Sequence, residues 1–441
     1  MALSGLDIYK LLPKTNCREC GFVTCLAFAM QLAKKAVSIE KCPYLSPESK
    51  EVLEESGQPP IKLISLGTGE KKMDLGNETV MFRHEEKFRN PAAIGFIIDD
   101  SLTDEETGKK VGEINKLAFE RVGQKLDVNL IALRQNSTKE NFIKVLKKIL
   151  SSTDLGIALM TKDTPTLEEA LLLSKDRKPL VYDLSGKHQE CAKLCSKFQA
   201  SMVVSGDSLE AIGKLTKEIN SLGVTELVLD IGKKPLKDKL WDITQIRRMA
   251  LKKSNRSFGY PVLVNAENVD PYKEAAEAAT FISKYASIVL LSGHKTWEIL
   301  SLLTLRQNIY TDPQKPLQIE PGLYPIGECN EKSDCLITTN FSLSYYTVLG
   351  EVEASKIPTY ILSVDTEGMS VLTAWAAEKF TPSKISESIN KFGVKDKVRL
   401  NRVIIPGYVA VLSGDLEEQA GLKVVVGPKE AAGIPSFLKN L

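Results

Sequence analysis

Histidine is scarce in this 441-residue chain, with only His84, His188 and His294. That scarcity argues against a histidine-ligated metal centre and against most Ser-His and Cys-His nucleophile systems. Each histidine taken alone reads as structural. Apolar runs long enough to span a bilayer are missing as well. So is a strong net charge: 58 Lys and Arg stand against 56 Asp and Glu. That balance leaves no footprint for nucleic acid or for an anionic membrane surface. Neither a Walker loop nor a G-x-G-x-x-G behind a strand occurs, so nucleotide chemistry has no support. No apolar signal peptide precedes the first cysteines, so a reduced, cytoplasmic setting is expected.

Against these absences stand eight cysteines, four of them close together. Cys17, Cys20, Cys25 and Cys42 follow the pattern C-x2-C-x4-C, sixteen residues, then C, with Pro43 directly after. Soft thiolates suit iron–sulfur clusters and zinc. The spacing reads as a 4Fe-4S ligand set, and a Cys-Pro ending also occurs in one ferredoxin pattern. A structural zinc site is the alternative. Zinc knuckles usually pair two C-x2-4-C units, whereas here the second half supplies only Cys42. Gly21 allows a tight turn between ligands. The stretch 26–33 reads as a helix. A module of about fifty residues folds poorly alone, and a cluster would hold it together. Cys191 and Cys195, four apart on an expected helix, and Cys329 and Cys335, flanking a loop, read as buried structural thiols.

The length implies several domains. Residues 1–57 form the cysteine module, and Gly57-Gln-Pro-Pro60 marks a break. Residues 58–92 read as a linker with short β stretches at 61–66 and 79–82. Eight short apolar runs then follow, at 95–99, 128–133, 156–160, 180–184, 202–205, 227–230, 262–265 and 288–291, with amphipathic helical segments between them. Near-continuous apolar strands alternating with helices signal a parallel sheet. Eight units in about two hundred residues fit a closed (β/α)8 barrel, with an open doubly wound sheet as the alternative. Asp99, Asp100, Arg134, Asn136, Asp163, Asp183, Asp230 and Asn265 follow these strands. They read either as a small-molecule site or as caps for the next helices.

From about Pro325 a second, smaller α/β pattern begins, with strands expected at 335–339, 359–364, 402–405, 409–412 and 423–426. Three of them run into loops rich in small and hydroxyl residues, at 338–346, 365–373 and 427–434. Strand ends followed by helix N-termini bind ligands in such sheets. Small residues let a large flat ligand approach the backbone. A cofactor site is expected there.

Several stretches carry a family resemblance: 5–10 (GLDIYK), 16–21 (NCRECG), 25–30 (CLAFAM), 256–261 (RSFGYP), 306–313 (RQNIYTDP), and the loops at 338–346 and 363–374. Over its whole length the chain resembles the large (gamma) subunit family of corrinoid iron–sulfur proteins of the acetyl-CoA (Wood–Ljungdahl) pathway. The resemblance implies a small N-terminal 4Fe-4S domain (1–57), a linker (58–92), a central (β/α)8 TIM barrel (93–312) and a C-terminal Rossmann-like corrinoid-binding domain (325–441). It implies two cofactors, a 4Fe-4S cluster and a cobalamin-type corrinoid. It implies a heterodimer with a small subunit, and partners in a methyltetrahydrofolate:corrinoid methyltransferase, acetyl-CoA synthase/CO dehydrogenase and a low-potential electron donor such as ferredoxin. Neither nucleic acid nor membrane is expected.

By the same resemblance, Cys17, Cys20, Cys25 and Cys42 fall on the cluster ligands. Asn340 and Tyr346 match the first corrinoid-contacting loop. Ser370, Val371, Leu372 and Thr373 match the turn and helix start beneath the corrin, and Gly433 lies where the cofactor edge or tail would pass. The implied activity is methyl transfer to and from cobalt. The metal is the nucleophile, and no side chain is a catalytic residue. The sequence itself contains no D-x-H-x-x-G motif and no histidine after His294, so the C-terminal domain offers no imidazole as a lower ligand. The cofactor carries the chemistry while the protein holds and tunes it. A cluster in the same chain then reads as the device that returns oxidised cobalt to cobalt(I). Because the corrin must meet two partners in turn, movement of the C-terminal domain on a linker near 313–325 is expected. The other reading is an iron–sulfur oxidoreductase with a barrel substrate site and a flavin in the C-terminal domain.

Overall fold

A computed structural model describes the chain except for residues 1–3, 35, 48, 51–52, 54–58, 122–123, 316 and 399. Two residues of the expected break, Gly57 and Gln58, therefore lie outside the described residues. The chain divides into two compact units, residues 1–118 with 127–310, and residues 119–126 with 311–441.

In the first unit, helix Gly5–Leu11 packs on helix Cys25–Ala33 around buried Ile8, Leu12, Phe28 and Ala29. Ser4 and Thr24 cap the two helices with their side chains, as small hydroxyl residues do at N-termini. The stretch 58–92 contains an antiparallel pair, β1 (Ile64–Leu66) and β2 (Met73–Leu75), with Ile64, Leu66 and Leu75 fully buried. Residues 79–82, expected as β, are irregular. The Val80 carbonyl is taken by the Arg247 guanidinium at 3.0 Å rather than by a neighbouring strand.

The barrel alternates strands with helices. Its strands are β3 (Ala93–Asp99), β6 (Leu130–Arg134), β7 (Gly156–Thr161), β8 (Leu180–Asp183), β9 (Ser201–Ser205), β10 (Leu227–Asp230), β11 (Val262–Asn265) and β12 (Ile288–Leu291). They close in the order β10-β11-β12-β3-β6-β7-β8-β9, and every pair is parallel. All eight apolar runs are strands of this barrel. Their β-branched and leucine side chains are buried on both faces, which is why they read as continuous rather than alternating. Between β3 and β6 lies a hairpin, β4 (Ala118–Arg121) and β5 (Gln124–Asp127). Its alternation is polar and mostly exposed, so it gave no apolar signal.

The second unit is a five-stranded sheet in the order β13-β15-β14-β16-β17: β13 (Gly322–Ile326), β14 (Asp334–Thr339), β15 (Thr359–Val364), β16 (Arg402–Ile405) and β17 (Lys423–Val426). β13 is antiparallel to β15, and the others are parallel. Alternate side chains feed two cores. Leu336, Ile361 and Ile404 pack with helices Ser342–Ser355 and Ile434–Lys439, while Ile337, Leu362 and Ile405 pack with helices Pro382–Lys391 and Ser413–Ala420. Helices on both faces of a parallel sheet make this a doubly wound, Rossmann-like unit.

The strand expected at 409–412 is instead a 3-10 helix, Gly407–Leu412, running into helix Ser413–Ala420. Only Val409 and Leu412, three apart, are buried, while Val411 is exposed. A four-residue apolar run does not distinguish strand from helix. Backbone crowding decides it here, since a Cβ on Gly407 would lie 2.6 Å from the Gly427 carbonyl.

Candidate functional site

The cysteine module is built around one helix start. Cys25 opens helix Cys25–Ala33, and its N–H donates to Asn16 Oδ1 at 2.8 Å, pinning the preceding loop to that end. The loop coils through left-handed Lys14, Asn16, Arg18 and Gly21. The Gly21 N–H closes the tight turn onto the Arg18 carbonyl at 2.9 Å, with Cys20 inside it. Cys42 ends the 3-10 turn Ile39–Lys41, and the Tyr44 hydroxyl donates to Glu19 at 2.8 Å, tying the two ligand segments together. Cys25 is buried, Cys20 and Cys42 are half-buried against the same apolar cluster, and Cys17 is exposed.

Burial pushes the Cys42 thiol up, and the charges of Cys20, Cys25 and Cys17 push it further. Cys42 therefore sits within electrostatic reach of the other three sulfurs. Among the described residues no three His, Cys, Asp or Glu side chains stand at single-ion spacing. Four cysteine thiols are the donor set that iron–sulfur clusters take.

At the barrel mouth, the polar residues after the strands serve the fold. Arg134 is held on one side by Asp99 (2.6 and 3.0 Å) and on the other by Glu267 (2.7 and 3.0 Å). These bonds hold its pKa above the ordinary arginine value, those to Asp99 first. Asp100 accepts the Asn136 and Ser137 N–H groups, and Asn265 accepts that of Glu267. Asp163 caps helix Thr164–Ser174. Asp183 holds Ser185 and pairs with His188 at 2.9 Å, and Asp230 accepts from Ser205 at 2.8 Å. Of the two readings of these residues, capping and loop clamping is the one their contacts support.

One acidic pair there has a titration consequence. Glu274 accepts the Ser292 N–H and hydroxyl and the Gly293 N–H. Fully buried Glu298 faces it across Gly293, where an added Cβ would lie 2.6 Å from one carboxylate and 2.7 Å from the other. Burial first, then the Glu274 charge, raises the Glu298 pKa above its ordinary 4.5. When protonated, Glu298 has one O–H to donate to Glu274, which gives a partner to one of its two unpartnered oxygens. A raised folded-state pKa means stability that is complete below the ordinary value and lost as pH climbs through the raised one. The melting temperature of this unit is expected to fall between pH 5 and pH 8. Glu298→Gln, which keeps a donor and does not titrate, should flatten that dependence. Superimposable pH curves for the two proteins would refute the assignment.

The second unit holds the ligand crevice. From β14 the chain crosses first to β15 on one side and later to β16 on the other, so the strand order reverses between β14 and β16. Ligands bind outside the carboxyl ends of strands at such a switch point. Here β14 and β16 share only the register pair Leu336↔Ile404. A cavity of about 320 Å³ opens there, lined among others by Thr338, Phe341, Ile405, Tyr408, Gly427 and Pro428. Of the buried hydroxyls without a protein partner in these strands, Thr338, Thr339 and Ser363, only Thr338 lines the cavity. Buried polar atoms are normally satisfied, so the Thr338 hydroxyl fits a bound polar edge. A Cβ on Gly433 would lie 2.9 Å from Pro428 Cβ.

Ser370 and Val371 line the cavity. Ser370 is the N-cap of helix Val371–Ala376, with its Oγ 2.9 Å from Thr373 Oγ1. Leu372 is exposed on the same helix. Tyr346 lies on the second turn of helix Ser342–Ser355 rather than in a loop, its exposed ring edge-on to Tyr345 at 5.6 Å. Asn340 is buried, and its amide is spent inside the protein. Its Oδ1 accepts from Thr366 N and Oγ1 and from Gly368 N, at 2.9–3.0 Å. It clamps the turn that leads to Ser370. Sequence reasoning missed Phe341 and Tyr408, whose signal was an aromatic residue just past a strand end.

A four-cysteine module joined to a parallel barrel and to a doubly wound unit with a switch-point crevice defines a modular protein of cofactor-binding class. Residues 63–438 match the family model described as "CO dehydrogenase/acetyl-CoA synthase delta subunit", and residues 12–44 match the one described as "Putative Fe-S cluster". The chain is 44% identical to the corrinoid/iron-sulfur protein large subunit of Moorella thermoacetica, over all of this chain and 99% of that one. It is 35% identical to the acetyl-CoA decarbonylase/synthase complex subunit gamma of Methanothermobacter thermautotrophicus (100% and 99%) and 34% to that of Methanocaldococcus jannaschii (99% and 96%). The chain belongs to the family of these large, or gamma, subunits. The model named for the delta subunit starts after the cysteines, whereas the large and gamma relatives match through them. Among the described residues no helix is long and apolar enough to cross a membrane.

Proposed function

We propose that the protein is the methyl carrier of an acetyl-CoA-forming or -cleaving system, with a 4Fe-4S cluster at Cys17, Cys20, Cys25 and Cys42 and a corrinoid in the crevice of the second unit. The observation that carries this reading is the switch-point cavity with the unpartnered Thr338 hydroxyl in its wall, in a unit without histidine, on one chain with the four-cysteine module. A corrinoid held there would supply a cobalt(I) nucleophile for methyl transfer from methyltetrahydrofolate, by way of a methyltransferase, to the nickel cluster of acetyl-CoA synthase, and a 4Fe-4S cluster held by the four cysteines would supply the electron that restores cobalt(I).

This chain's own residues bind and orient. The apolar walls at Phe341, Val371 and Ile405 exclude water from the ligand. Thr338 would meet its polar edge, and Ser370 and Thr373 present small side chains at a helix start. Asn340 positions rather than touches, by fixing the turn before Ser370. The proposed division of labour is cluster binding by 1–57, a linking segment at 58–92, a barrel at 93–312 and corrinoid binding by 325–441. A small subunit and the two enzymes that give and take the methyl group are the expected partners, together with a low-potential electron donor.

Protein purified without oxygen is expected to contain about one cobalt and about four irons. Flavin absorbance with iron and no cobalt would favour the oxidoreductase reading. Zinc alone would refute both. Ser344→Trp, which fills the cavity, should lower cobalt content severalfold and leave iron unchanged, as metal analysis and the visible spectrum would report. Equal cobalt in both proteins would remove the cavity from the site.

A further inference from the structure

Gln318 belongs to none of the loops that the sequence singles out, and it does not line the cavity. It is nevertheless joined to two of the cavity's walls. Gln318 and Phe341 form an isolated antiparallel bridge. On either side of it, the Ile319 N–H donates to the Asn340 carbonyl at 2.8 Å, and the Ser342 N–H donates to the Leu317 carbonyl at 3.0 Å. The backbone of 317–319 is thereby stitched to the wall that Phe341, Leu343 and Ser344 line.

The Gln318 side chain reaches toward the other wall. Its Oε1 accepts from Asn340 Nδ2 at 3.3 Å, and Asp365 Oδ1 accepts from the same nitrogen at 3.3 Å. With the nitrogen held on that side, the amide oxygen of Asn340 is turned toward the N–H groups of Thr366 and Gly368, which it meets at 2.9 and 3.0 Å. The Gln318 stem also lies on Gly368. A Cβ there would come 2.6 Å from Gln318 Cγ and 3.1 Å from its Cδ. Gly368 has a φ of 75°, a left-handed conformation that glycine takes without strain. The turn so fixed leads directly to Ser370 and Val371, which line the cavity.

We propose that Gln318 is a positioning residue for the ligand of this crevice, setting the place of the Ser370–Val371 wall against the Phe341 wall. This rests on the corrinoid reading above. Gln318 acts through Asn340 and Gly368 and need not touch the ligand. The effect on binding comes from packing. A gap of about 0.5–1 Å between a wall and a flat ligand forfeits a quarter to a half of the dispersion attraction at each contact.

The test uses the full-length chain. Hydrogen exchange is followed by mass spectrometry on the ligand-free protein. Release of bound methylcobalamin, the probe, is followed by gel filtration in the dark. In Gln318→Ala, exchange should quicken in segments 340–342 and 366–371 and keep wild-type rates in 403–409 and 423–429. Methylcobalamin should leave about tenfold faster. Gln318→Met keeps a stem over Gly368 and gives up the acceptor, so it should fall between Gln318→Ala and the wild type in both measurements. Faster exchange throughout the unit would make Gln318 a residue of general stability and overturn the positioning role. Wild-type release from Gln318→Ala would overturn it too, while the corrinoid reading stood. A wild type that takes up no methylcobalamin would overturn both.

Discussion

A Cys20→Ala protein is expected to carry out methyl transfer when supplied already reduced, and to lose recovery after oxidation altogether. Cys20 is half-buried against the module's apolar cluster, inside the turn closed by Gly21 and Arg18. On the ligand set proposed above, its loss leaves three thiolates, and a cluster held there would lack one of its four ligands. Nothing in the crevice of the second unit depends on that thiol. The rate of the first transfer from methyltetrahydrofolate, measured on protein pre-reduced by a chemical reagent, should match the wild type. Recovery after controlled oxidation, with a protein electron donor present, should be absent. A slowed first transfer would make the cluster part of every turnover and defeat the repair role. Cys329→Ser is the control, since that thiol belongs to the second unit and donates to the Ile326 carbonyl.

The largest stability effect is expected at Glu78. Its carboxylate accepts the Arg89 and Asn90 N–H groups and holds Arg247, only 4% exposed, at 3.2 Å. The guanidinium lies against the Phe88 and Tyr285 rings, 5.2 and 4.9 Å from their centroids. Burial pulls its pKa down, with Glu78 opposing. Removing one partner of a buried pair costs about 3–5 kcal/mol, because the other charge is left uncompensated. Glu78→Ala should therefore lower the barrel's melting temperature by about 10 °C, taking 2–4 °C per kcal/mol for a unit of this size. Glu78→Gln/Arg247→Met, which removes both charges, should recover most of the loss. Calorimetry of the three proteins decides it. A double variant no better than Glu78→Ala would place the effect in the Val80 bond instead.

Much of the architecture was legible because its physics is repetitive. Each barrel strand is buried on both faces and so announces itself as an apolar run. The β4–β5 hairpin is exposed and polar, and carries no such mark. The 407–412 segment misled because four apolar residues look alike in strand and helix, and the decisive fact is the approach of Gly407 to the Gly427 backbone. The spacing of the four cysteines sets their module apart in sequence. In the second unit, the sequence singled out loops at strand ends, and the cavity opens beside them. The sequence did not separate Ser370, which lines the cavity, from Asn340, whose three accepted hydrogen bonds depend on a turn twenty-six residues away. Partners distant in sequence leave no local trace.

Residues 119–126 belong to the same compact unit as residues 311–441, although nearly two hundred residues of barrel separate them in the chain. Gln124 reaches Glu320, and Glu120 lies within electrostatic range of Tyr324 and Tyr345. The ligand-bearing unit is therefore not a cassette. Cutting the gene at residue 311 would leave out part of what folds there, and transplanting that fragment onto another protein would carry an incomplete domain. Recombination that preserves the unit has to preserve the first turns of the barrel as well, so the two can be inherited only together.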